Sequence, residues 1–524
     1  MKAELQERNG VRRFVVTRSF GSSTQKAYVP SLLALLLLSS GCGSTVQFAE
    51  KAELLPGATD DLSTPLESPG TNSRSSSDVV KSRVPGVAGS RTRGVAGSPT
   101  GGVAGSHGGR ATQNPGRLTR GVTKNEIFIG FGLQSDFSNF MASAGFEFGL
   151  GDQKAQAEAV ISDINSRGGV LGKKITPVYY DLSTGRAAQD PNGTQQEACT
   201  AWTEDRPVFA VVDVIPHLSR PLAASCLAKH KTPLIAMSPI VLRPRPVYAR
   251  LAPYLYAPTQ PAVERLVPKW MQRLKASGYF EGWDSSLGQP SSRPMGRVGI
   301  IVVREQWGSE VGDIVKNELS RYGLEGVIGE FSGSVTQYSA QAAQTVPRFR
   351  ESGVSHVIDM SGQIGYFTQA AESQHYRPRY GLSSANRPYA GDNANQMRGS
   401  LAVGWLPAYD VSTADDPGTI SEAQTRCRNI MRRAGQNTSD RGAFSSMLDT
   451  CDGFSFLVRA VRHGSLSASG LKSGAFSMGR MESAATFRID LRGSSFDGAA
   501  SLRDNSYRTS CNCWRYSSSK SFGF

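Results

Sequence analysis

From about residue 123 onward, short apolar runs alternate with stretches in which apolar residues return at helical spacing. The runs Glu126–Phe131, Ile175–Tyr180, Val208–Val214 and Leu234–Met237 predict strands. Between them, Ala157, Val160, Ile161 and Ile164 share one helical face, and Gly168 with Gly169 ends that helix. Gln195–Thr203 and Ser219–Lys229 predict two more helices. A segment rich in Pro and aromatic residues, Pro239–Ser292, carries a helix near Val263–Leu274. The alternation then restarts with Val298–Val303, followed by a stripe of Val311, Ile314, Val315 and Leu319. Strands Gly326–Phe331 and Val354–Met360, helices Gln341–Arg350 and Ile364–Ser373, and a short strand near Tyr380–Leu382 complete it. Strands separated by helices build right-handed βαβ units, hence parallel sheets covered on both faces. A single sheet holding every strand would exceed about ten strands, so the pattern predicts two doubly wound α/β lobes.

The first 122 residues read differently. Ser31–Leu38 is apolar but far shorter than a spanning helix requires. It follows a basic segment and precedes Ser39-Ser40-Gly41-Cys42, the layout of a secretory signal over residues 1–41. A cysteine directly after the small residues resembles the lipobox of bacterial lipoproteins, which implies lipidation of Cys42 at the outer face of the cell membrane. Residues 42–122 are dominated by Gly, Ser, Pro, Thr and Arg, with Gly-Val-Ala-Gly-Ser recurring at Gly86, Gly94 and Gly102. Such a segment buries too little apolar surface to offset its ordering entropy and predicts a disordered tether.

Charge and cysteines refine this picture. The net charge of +14 comes from 58 basic and 44 acidic residues. Part of the excess lies in the leader, and no run of five basic residues occurs, so a mildly basic solvated surface is expected, without a nucleic-acid groove. With Cys42 reserved for lipid, six of the seven cysteines remain, an even number for an oxidising compartment. Their order favours Cys199–Cys226 and Cys427–Cys451, and leaves Cys511 and Cys513 open.

Catalytic chemistry is scarce. There is no Gly-x-Ser-x-Gly elbow, no HExxH and no CxxC pair, so neither a nucleophile nor a metal or cofactor site is nominated. What stands out is polar residues just beyond the carboxyl ends of the predicted strands, where open α/β sheets take ligands. These are Gln134, Ser135 and Asp136, then His217, Ser219 and Ser238 in the first lobe. In the second they are Glu305, Ser361 and Gln363.

Several passages resemble one family. Asn165-Ser166-Arg167-Gly168-Gly169-Val170-Leu171-Gly172, followed by a strand ending at Asp181, resembles the helix–glycine–strand passage of type 1 periplasmic binding proteins. The match is to their leucine/isoleucine/valine-binding branch, which serves ABC importers. Arg304-Glu305-Gln306-Trp307-Gly308 resembles the loop opening that family's second lobe, and Cys451–Leu457 resembles a helix of its returning chain. The resemblance implies a lobe from residues 123–257 with a return segment 400–505, and a second lobe from 258–399. A C-terminal strand and tail, 506–524, would rejoin the second lobe. It further implies a hinge, a small polar ligand held between the lobes with Trp307 stacking on it, an ABC permease as partner, and a Cys199–Cys226 disulfide. No Ser-Ser or Ala-Thr pair follows Val208–Val214 to take an α-amino-acid head group. A regulatory surface lipoprotein of the same fold, or an extracellular enzyme, are the alternative functions.

Overall fold

In the computed structural model the apolar runs become two separate parallel sheets. The structure describes residues 4–8, 11–15, 119–143, 148–216, 218–388, 393–411, 418–491 and 495–524. The expected tether up to residue 118, and with it Cys42, lies outside them. The chain divides into two units, Met1–Gly105 and Ser106–Phe524. In the first, the described residues form an antiparallel hairpin of Glu4–Arg8 with Val11–Val15.

The first lobe is built on strands β1 (Glu126–Leu133), β2 (Lys174–Asp181), β3 (Ala210–Asp213), β4 (Leu234–Ala236) and β5 (Leu255–Tyr256). Their order is β2-β1-β3-β4-β5, all parallel. β3 and β4 are buried at every position, as strands covered on both faces must be, which is why they read as unbroken apolar runs. The Asn165–Gly169 passage has a plain physical reason. Asn165 closes a two-way hydrogen bond with Ile175, its amide donating at 2.9 Å and its carbonyl accepting at 2.8 Å, which docks the helix Gln153–Ser166 onto β2. Gly169 takes φ +69, and a Cβ there would fall 2.0 Å from the Lys173 carbonyl oxygen. The ordered chain starts earlier than residue 123: Val122 is in the core, and Gly121 lies against Val208 and Phe209.

The second sheet holds β6 (Arg297–Val303), β7 (Gly326–Phe331), β8 (Val354–Asp359), β9 (Arg379–Ser383) and β10 (Leu401–Gly404), in the parallel order β7-β6-β8-β9-β10. β11 (Ser501–Arg508) and β12 (Cys513–Tyr516) extend it antiparallel, and β13 (Phe522–Gly523) pairs with β11. β10 and the start of β11 therefore sit in the second sheet, where the expected 400–505 segment had placed them in the first lobe. The pairing of Val403 with Asp504 and of Leu382 with Ala402 decides this. The chain returns to the first lobe from Trp405 onward. Helix Arg441–His463 lies on the first sheet, with Phe454 stacked on Phe131 at 5.9 Å and Phe456 beside Tyr256 at 5.7 Å. No helix among the described residues is long and apolar enough to cross a membrane.

Three disulfides brace this framework. Cys199–Cys226 joins helices Pro191–Thr200 and Pro221–Lys229, and Cys427–Cys451 joins Glu422–Arg433 to Arg441–His463. Cys511–Cys513 closes the turn between β11 and β12. The double variant Cys199→Ser/Cys226→Ser frees a loop of 27 positions. Loop-closure entropy predicts a loss of about 3–4 kcal/mol in denaturant-unfolding stability. A loss under about 1 kcal/mol would mean the bridge constrains the unfolded chain little.

Candidate functional site

Both sheets repeat the strand order 2-1-3-4-5, so each has its switch point between its first and third strands, and ligand crevices open there at the carboxyl ends. The two sheets turn these ends toward one another. Between them lies a cavity of about 350 Å³. From the first lobe it is lined by Phe137, Phe140 and Met141 of the helix following β1, by Phe148, by Pro216 and Arg220 after β3, and by Ile240 after β4. From the second come Val335 after β7, Gly362 to Tyr366 after β8, and Asn386 with Arg387 after β9.

The lobes meet around this cavity. Arg220, 5% exposed, faces the Tyr338 hydroxyl of the second lobe; burial pushes that phenol up and the guanidinium pulls it partly back. Ser334 of the second lobe donates to the Ala188 carbonyl of the first. Gly362, at φ +68, brings its backbone so near the first lobe that a Cβ would sit 2.6 Å from Ile240 Cγ2. The cavity floor is rigidly held. Asp359, buried and raised to about 6 by that burial, accepts from the Asn386 amide at 2.5 Å, and Asn386 in turn accepts from the Ser383 backbone at 2.7 Å. Arg387 adopts φ +50, and its guanidinium lies 4.5 Å from the Phe148 ring centroid and 5.5 Å from that of Tyr409. Behind it the Tyr409 hydroxyl donates to Asp449 at 2.5 Å. Burial pushes the Asp449 carboxyl well above the ordinary carboxylate range.

Of the residues expected at the strand ends, Gln363 lines this cavity. Asp136 turns to the edge of its own lobe: burial opposes its charge, but bonds from Thr184 and Ser183 outweigh that and hold its carboxyl below the ordinary value. Ser135 bonds Asp181 at 2.6 Å, tying the ends of β1 and β2. Gln134 is buried, with its backbone amide donating to Gln153 at 2.8 Å. Ser361 is a capping residue, donating to Asp359 and accepting from the Gln363 amide at 2.9 Å. Ser219 and Ser238 are buried, the former through its carbonyl accepting from Arg243 at 2.7 Å. Glu305 accepts from the Gly333 amide at 2.8 Å, and His217 lies outside the described residues.

Trp307 sits beside the cavity, not in its lining. At φ +58 it caps the short turn Arg304–Gln306, is 7% exposed, and packs 5.9 Å from the buried Arg243 guanidinium of the first lobe. With Glu305 it also lines a second opening of about 730 Å³, shared with Pro221 and Lys229 of the first lobe. The lining residues that the strand-end reading did not reach include the aromatics Phe137, Phe140, Phe148 and Tyr366 and two arginines. The run Asp136-Phe137-Ser138-Asn139-Phe140 directly after an apolar strand held the available signal, since core demands alone do not explain aromatics in a polar loop. Among the described residues no group of three His, Cys, Asp or Glu side chains could hold a metal ion. Because Trp307 joins the core at the seam between lobes, Trp307→Ala should lower thermal stability by about 3–5 kcal/mol. A loss below about 1 kcal/mol in calorimetric unfolding would return Trp307 to the role of a ligand contact.

The fold has recognisable counterparts. A solute-binding protein of an ABC transporter from R. palustris, in complex with 4-hydroxybenzoate, superposes with a TM-score of 0.55 at 11% identity, over 76% of this chain and 97% of that one. An ABC transporter substrate-binding protein from Desulfitobacterium hafniense in complex with Leu matches with a TM-score of 0.50 at 14% identity, over 75% and 100% of the two chains. A branched-chain amino acid ABC transporter protein from Thermus thermophilus with bound valine matches at 0.50 and 12%, over 77% and 98%. At such identities the likeness speaks for the fold alone. No curated protein matches the sequence. The sequence model of the periplasmic binding protein family matches residues 142–426, more than half of the chain and both lobes of the cleft. The chain is therefore a member of the periplasmic binding protein family.

Proposed function

We propose that this protein is an extracytoplasmic, lipid-anchored solute-binding protein that captures a small organic molecule between its lobes and presents it to an ABC permease. The observation that carries this reading is the cavity of about 350 Å³ walled by the carboxyl ends of both sheets. A pocket shared by two lobes couples binding to closure, because a ligand touching both favours the closed arrangement by the difference in its affinity for the two states. The cavity needs no catalytic group to work in this way: capture, closure and release make and break no covalent bond. Its volume is at the small end of ligand pockets, which suits a molecule of metabolite size.

The anchor follows from Cys42 behind the apolar run Ser31–Leu38. Cys42→Ala should move the protein from the membrane fraction to the soluble one and abolish palmitate labelling. Persistent labelling of the variant would remove the anchor.

Capture is tested by native mass spectrometry of the purified protein and by calorimetry with any molecule that it retains. Stoichiometric retention supports the reading; a protein that neither retains nor binds any small molecule defeats it. Gly362→Ala probes closure, since the added methyl would meet Ile240 across the cleft and strain a left-handed backbone. It should weaken binding at least tenfold and diminish ligand-induced compaction in small-angle scattering. Stability of the unliganded protein should fall by only about 1 kcal/mol. Unaltered affinity would show that the lobes do not need this close approach.

A further inference from the structure

The chemistry of the cavity wall is one-sided. Its described lining contains two arginines, Arg220 and Arg387, and no Asp or Glu. The rest of the wall is apolar or neutral, with Phe137, Phe140, Phe148 and Tyr366 supplying ring surface. Arg387 makes no side-chain hydrogen bond or ion pair among the described residues, and its Nε is buried without a partner. The Nε of Arg220, in a side chain 5% exposed, is buried without a partner as well. Behind Arg387, Asp449 accepts the Tyr409 hydroxyl and makes no hydrogen bond to the guanidinium.

We infer that the ligand is a carboxylate on an aromatic or similarly flat apolar body, with no ammonium group, held by Arg387 with Arg220 beside it. This rests on the solute-binding reading and names the substrate class of that same site. A half-buried guanidinium with no hydrogen-bonded acid keeps its donors free, and a carboxylate offers two acceptors in the geometry of its fork. Arg220 is already engaged across the cleft with Tyr338, so Arg387 is the primary anchor. Rings in the cavity lining reward flat apolar area. An α-amino acid would bring an ammonium into the same space, where two like charges face it and no carboxylate of the described lining receives it, and the desolvation of that ammonium would go unrepaid.

A ligand series on the unmodified mature protein tests this directly by calorimetry. 3-Phenylpropanoate, its neutral amide 3-phenylpropanamide, and phenylalanine, which adds only an ammonium, are compared alongside benzoate and 4-hydroxybenzoate. At least one carboxylate should bind, and the amide and phenylalanine should each be at least tenfold weaker than 3-phenylpropanoate. Arg387→Gln should lower carboxylate affinity at least tenfold while leaving the amide's affinity unchanged, and Arg387→Lys should restore part of the loss. Phenylalanine binding as tightly as 3-phenylpropanoate would overturn the inference, as would retention of an amino acid by the purified protein. Either result leaves solute binding intact. Absence of any bound or retained molecule would bring down both. Because the ligand series needs no variant, it decides the matter even if Arg387→Gln fails to fold.

Discussion

One carboxylate holds the two lobes in register. The chain crosses between lobes after β5, after β10 and before β11, and Asp497 ties the first and last of these crossings together. It accepts from the Ala262 backbone amide at 2.7 Å, pairs with Arg265, and takes the Ser495 hydroxyl. Around it, Ala257 and Asp497 form an isolated parallel bridge, and the Gly498 amide donates to the Ala257 and Gln260 carbonyls at 3.0 Å each. The middle crossing is held separately: Thr486 donates to the Trp405 carbonyl at 2.7 Å, and the Ser384 hydroxyl accepts from the Trp405 and Leu406 amides. A hinge made this way has ordered backbone at each crossing, so relative motion is confined to a few dihedral angles and the sheets stay intact. The cleft inherits its shape from that restriction.

Within the cleft, burial and charge pull in different directions. Aromatic rings favour a dry cavity, yet two guanidinium groups are brought into it. The energetic conflict is relieved in part by the Phe148 and Tyr409 rings flanking Arg387, whose faces attract a cation. The buried carboxyls nearby, Asp359 and Asp449, are raised and hydrogen-bonded, and serve as acceptors that orient Asn386 and Tyr409.

Much of the fold was legible in the chain. The strands Gly326–Phe331 and Val298–Val303 and the helix Ile364–Ser373 match their expected spans to within a residue, because a buried strand or an amphipathic helix imprints its period on consecutive positions. Strand pairing was less legible. β5 is two residues long, and β10 and β11 find partners far away in sequence, so no local rhythm announces which sheet they join. The strand-end rule reached Gln363 in the cavity lining, whereas Ser135, Asp136 and Ser361 are polar residues at strand ends that cap and tie neighbouring backbone.

By itself, then, the sequence determined the alternation of strands and helices, the division into two α/β lobes, and the glycine turn closed by Asn165, since each is a relation between near neighbours. Two of the three disulfides follow from cysteine order in the same way. Only the tertiary structure decided that β10 and β11 complete the second sheet, that Trp307 packs on Arg243, and that Arg220 and Arg387 meet in one cavity. Those are encounters between residues separated by a lobe or more, and which side chain faces which is set by sheet register and the hinge. Neither is written into any local stretch of chain.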